Sequence, residues 1–93
     1  MKMIEPLLPR GEENALSTAE LVRVTGFKSA RELQKVIEAE RAQGALILSV
    51  SGRDGGYFLP SEGEAGVREI SRFVATLQAR ALNTLWSLRA AKA

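Results

Sequence analysis

Apolar positions recur with a helical period in three stretches of this chain and bunch into one short run between the second and third. Ser17-Thr18-Ala19-Glu20 opens the first stretch, and Ser29-Ala30-Arg31-Glu32 opens the second twelve residues later. Both fit a capping box, in which a serine hydroxyl accepts from an orphan N–H and the glutamate reaches back to the serine N–H. The pattern predicts a first helix from about Thr18 to Thr25, with Leu21, Val22 and Val24 on its buried side. Gly26 then supplies a turn residue tolerant of a left-handed backbone. The second helix is predicted from about Ser29 to Gln43, with Gly44 as its C′ residue. Ala30, Leu33, Val36 and Ile37 fall on one side of it, and Lys28, Arg31, Lys35 and Glu38 project from the other.

The apolar run Ala45-Leu46-Ile47-Leu48-Ser49-Val50 reads as a strand, residues 51–56 as a turn, and Tyr57-Phe58-Leu59 as a second strand ended by Pro60. The two should pair as an antiparallel hairpin. Upstream, Leu7 and Leu8 sit between Pro6 and Pro9, so residues 4–14 hold at most a short helix and a polar loop. A third capping box, Ser61-Glu62-Gly63-Glu64, precedes a stretch that nothing breaks. There Val67, Ile70, Phe73, Val74, Leu77, Ala81, Leu85 and Leu88 form one stripe, most of it expected to pack on the preceding domain. The helix would be roughly 40 Å long, more than the ~30 Å diameter of a small domain, so its distal end should overhang. Leu82 and Trp86 lie off the main stripe. A second chain is the economical way to bury both faces, which marks Leu82 and Trp86 as homodimer contacts.

Composition narrows the chemistry. The chain has 93 residues and neither cysteine nor histidine. This removes disulfides, thiol nucleophiles, the usual transition-metal ligands and a Ser-His-Asp triad. With no glycine-rich phosphate motif opening a helix and no converging acid pair, an enzyme is not expected, nor is a cofactor or a small-molecule ligand. No apolar run is long enough to cross a bilayer, and Glu5 and Pro6 interrupt any signal-peptide core, so a cytoplasmic protein is expected. Net charge is only +2, but Arg72, Arg80, Arg89 and Lys92 follow Ile70 with no acid among them. Such a cluster suits phosphate binding and equally suits a solvated helix face.

The span from Leu16 to Pro60 resembles a winged helix-turn-helix domain. The likeness rests on the paired caps Ser17-Thr18-Ala19-Glu20-Leu21 and Ser29-Ala30-Arg31-Glu32-Leu33, the turn Thr25-Gly26-Phe27, and Gly55-Gly56-Tyr57-Phe58-Leu59-Pro60. It is most similar to small proteins of bacterial prophages and mobile elements. The resemblance implies a mostly α fold with a small β-hairpin: a winged domain over residues 1–62 and a C-terminal helix over 63–93. It places Lys28, Ser29, Arg31, Glu32 and Lys35 at the exposed start of a recognition helix and Arg53 at the wing tip. One departure is the poor first helix around Pro6 to Pro9, whose core position the C-terminal helix is expected to fill. The function implied is binding of double-stranded DNA as a regulator or accessory factor, in which Arg31 reads a guanine edge and Lys28, Lys35 and Arg53 neutralise phosphates. Glu32 and Glu38 repel phosphates, which leaves a protein-interaction module docking through Leu82 and Trp86 as the alternative.

Overall fold

The first helix begins where its capping residues put it. In the computed structural model, which describes residues 3–50 and 55–92, α1 spans Thr18–Thr25. The Ser17 hydroxyl accepts from the Glu20 N–H at 3.1 Å, and the Glu20 carboxylate accepts from the Ser17 N–H at 3.3 Å. Gly26 ends the helix at φ 76° and donates its N–H to the Val22 carbonyl. Helix α2 spans Ala30–Ala42. The Ser29 hydroxyl again accepts from the Glu32 N–H, but the Glu32 carboxylate reaches one residue further back, to the Lys28 N–H at 2.9 Å. Ala30 is exposed rather than in the core, because the buried positions of α2 start a turn later, at Leu33, Ile37 and Glu40.

Strands β1 (Leu48–Val50) and β2 (Gly56–Phe58) pair antiparallel, with Leu48 opposite Phe58 and Val50 opposite Gly56. The ladder is shorter than the apolar runs suggest. Ala45 donates its N–H to the Glu40 carbonyl in the turn that ends α2, and Leu59 turns to the N-terminal segment, donating to the Pro9 carbonyl and accepting from Gly11. On the other edge of β2, Leu16 and Tyr57 exchange two backbone hydrogen bonds of 3.0 and 2.8 Å. The hairpin is thereby tied to the chain entering α1.

Ile4, Leu8, Leu21, Leu33, Ile37 and Ile47 form the buried cluster. The C-terminal helix does not fill the position left by a short first helix; Ile4 and Leu8 do. They sit in a segment with two 3₁₀ turns, Glu5–Leu7 and Glu12–Asn14. Pro6 falls at the start of the first turn, where a missing N–H costs nothing. The segment is held from outside: the buried Glu40 carboxylate accepts the N–H of Ile4 at 2.7 Å and of Glu5 at 2.9 Å.

Helix α3 spans Gly63–Lys92. The third capping box does not form. Glu64 is exposed, with Arg68 3.9 Å away, and the acid that organises this end is Glu69. Its buried carboxylate accepts the Ser61 N–H at 2.7 Å, the Ser61 hydroxyl at 3.2 Å and the Glu12 N–H at 2.8 Å. Burial pushes the Glu69 carboxyl up. The bonds from Ser61 and Glu12 and the charge of Arg72 outweigh that and hold it below the ordinary glutamate range. A carboxyl with a depressed folded pKa stabilises the fold above the pH where a free glutamate ionises, and the contribution fades as pH falls through the lower folded value. The thermal midpoint of wild type should therefore exceed that of Glu69→Gln at neutral pH, and the gap should close below about pH 4. A gap that persisted unchanged into acid would exclude the ionised carboxylate as the clamp.

The apolar stripe of α3 does not pack on the domain. Val67, Val74, Leu77, Leu85 and Leu88 are all exposed, and Gly66 and Glu69 are the buried positions among the described residues of this helix. Ile70 and Phe73 are half-buried, and every residue from Val74 to Lys92 is exposed. A helix of this length runs about 45 Å, close to the 46 Å long dimension of the molecule. Among the described residues, burial along α3 ends at Phe73.

Candidate nucleic-acid interface

The turn between α1 and α2 sets the angle at which α2 is presented. Thr25 is buried and donates its hydroxyl to the Leu21 carbonyl at 2.6 Å, while Phe27 packs against the core. With Leu33 and Ile37 fixed inside, the opposite face of α2 turns to solvent. Lys28, Ser29, Arg31, Glu32 and Lys35 are all exposed there. They divide into two groups. Ser29 and Glu32 cap the helix start, whereas the Lys28, Arg31 and Lys35 side chains point outward as three cations over two turns. Arg53 lies outside the described residues.

Helix α3 packs on β1 and reaches α2 where Phe73 meets Arg41, which leaves this face open. Between them is a cleft of about 400 Å³ lined by Gln34, Glu38 and Arg41 of α2, Ser49 and Tyr57 of the hairpin, and Arg80 of α3. Arg41 holds the three elements together. Its Nε donates to the Ile47 carbonyl at 2.9 Å, and its guanidinium carbon lies 5.0 Å from the Phe73 ring centre and 5.9 Å from that of Tyr57. Nη2 is buried with no hydrogen-bond partner among the described residues. Burial pushes this guanidinium below its ordinary value, with Tyr57 and Glu38 acting against the shift and Arg80 adding to it.

Leu82 and Trp86 sit apart from this surface, on the overhanging half of α3, and are 57% and 65% exposed. Together with Leu85 and Arg89 they line a shallow notch of about 190 Å³, and the Arg89 guanidinium carbon is 5.8 Å from the Trp86 ring centre.

Three organising side chains escaped the sequence reading: Glu40, Glu69 and Arg41. Glu40 left a trace, since it follows Leu33 and Ile37 at the i, i+4, i+7 spacing of the apolar face. An acid on a core stripe must find donors. Among the described residues no helix is long and apolar enough to cross a membrane. Comparison of the chain with protein-family models, curated proteins and solved structures finds no match.

Proposed function

We propose that this protein binds double-stranded DNA, laying the outer face of α2 in the major groove with the hairpin alongside as a wing. The observation that carries the reading is the exposure of Lys28, Arg31 and Lys35 on one face of a capped helix whose opposite face is anchored by Leu33 and Ile37. A helix so fixed loses little freedom on docking, and its cations meet phosphates at the groove edge. Arg31, nearest the outward centre of the first turn, has the reach for a bidentate contact to guanine. A homodimer would offer two such helices to half-sites about one DNA turn apart. Regulation of a prophage or mobile element, from within the cytoplasm, is the setting that the winged-helix resemblance implies.

Duplexes selected from a random pool provide the test. Arg31→Ala should cost about 1–3 kcal/mol on the preferred site and relax base preference at one position. Lys35→Ala should weaken all duplexes alike and reduce the salt slope by about one. Wild-type affinity in both variants would remove α2 as the reading element.

A further inference from the structure

The molecule exposes more surface than a compact lone chain of this size, and the outer half of α3 carries large apolar side chains in the open. The molecule exposes 6767 Å², whereas a compact 10.1 kDa monomer exposes about 5,300 Å². The excess, about 1,500 Å², is more than the ~800 Å² that each partner buries in a standard interface. Its radius of gyration, 14.7 Å, likewise exceeds the roughly 12 Å of a compact domain this long. Val74, Leu77, Ala81, Leu85 and Leu88 face one way along this overhang, with Leu82 and Trp86 beside them.

The notch on this face has a specific shape. Leu82, Leu85, Trp86 and Arg89 are spaced i, i+3, i+4 and i+7, the four-residue diamond that receives a knob from a facing helix in coiled-coil packing. We propose that a second copy of this chain covers the face, its α3 lying antiparallel and crossing at Ala81. The inference rests on the homodimer part of the functional reading and not on the DNA part.

Two features select this arrangement. Ala81 is the midpoint of the exposed stripe from Val74 to Leu88, and its small side chain lets two helix axes approach closely. Lys92 continues the same stripe one turn past Leu88, so a parallel pair would press Lys92 against its own copy and align the helix dipoles unfavourably. Antiparallel packing opposes the dipoles and sets Lys92 beside the partner's Ile70 instead of against its own copy.

The chain contains no cysteine, so introduced thiols report the pairing without background. Light scattering at tens of micromolar should give twice the 10.1 kDa chain mass. Under mild oxidation Ala81→Cys should cross-link, because its two copies face each other at the crossing. Leu88→Cys should not, because its copies would lie roughly 21 Å apart along the axis, beyond the ~7 Å limit between bridged Cα atoms. Trp86→Ala, at an exposed position, should raise the dimer dissociation constant at least tenfold with an unchanged far-ultraviolet spectrum. A monomer mass would overturn the proposal and leave the face to another class of partner. A cross-link through Leu88→Cys as efficient as that through Ala81→Cys would overturn it by showing parallel helices. Neither result bears on DNA binding, which is read separately on α2 variants.

Discussion

Replacing Glu40 with alanine is expected to lower the unfolding free energy by about 3–6 kcal/mol, since two hydrogen bonds to a charged group are lost at about 1.5–3 kcal/mol each. Glu40 is 6% exposed, and its carboxylate accepts the N–H groups of Ile4 and Glu5. Alanine leaves both donors without a partner and opens space beside them. For a chain of this size each kcal/mol moves the thermal midpoint by about 4–8 °C, so the drop should exceed about 12 °C. Glu40→Gln keeps one acceptor oxygen but turns its amide toward a backbone donor, so it should fall between alanine and wild type. Glu38→Ala, on the exposed side of the same helix, should change stability by less than about 0.5 kcal/mol. Melting of Glu40→Ala within a few degrees of wild type would mean that the segment bearing Ile4 and Leu8 is held by something else.

Gly66→Ala should destabilise, against the usual direction of such a change. In an ordinary helix interior alanine is better than glycine by about 1 kcal/mol. At position 66 the added Cβ would overlap the Ser61 carbonyl oxygen and lie 2.9 Å from its carbon. These are backbone atoms, and Ser61 is itself fixed by two bonds to Glu69. The first turns of α3 must lift away, at a cost of at least about 2 kcal/mol. Ser71→Ala, exposed on the same helix, provides the control. Amide hydrogen exchange should show faster opening around residues 61–73 in Gly66→Ala alone. A rise in stability would mean that α3 does not press on Ser61.

The parts of this fold legible in advance are those set by neighbours in sequence. Ser17, Gly26, Ser29 and Gly44 mark helix ends because capping joins groups within four residues of each other. The hairpin was legible from its apolar runs and glycines, though not its length, because the bonds that end the ladder come from Pro9 and Gly11. What was not legible spans long separations. Glu40 meets a backbone 36 residues away and Glu69 one 57 residues away; the place of Glu40 on the apolar stripe shows that it needs donors, but no local pattern says which. Ile4 and Leu8 enter the core from a proline-bracketed segment that read as at most a short helix and a polar loop, too short to show a buried face. For α3 the stripe was correctly seen, but periodicity states only that a face is apolar and is silent on what covers it. The outward cations of α2 followed directly from its amphipathic pattern, while Arg41, which no local pattern distinguishes, is an organising residue because the fold brings Phe73 and Tyr57 beside it.

That arginine has a mechanical consequence. One guanidinium touches the ribbon through Ile47 and Tyr57 and the long helix through Phe73, while its own backbone belongs to α2. Three levers thus share a single pivot. Removing that one side chain, as in Arg41→Ala, should therefore loosen the ribbon and the start of α3 together, which amide hydrogen exchange would read as faster opening in both.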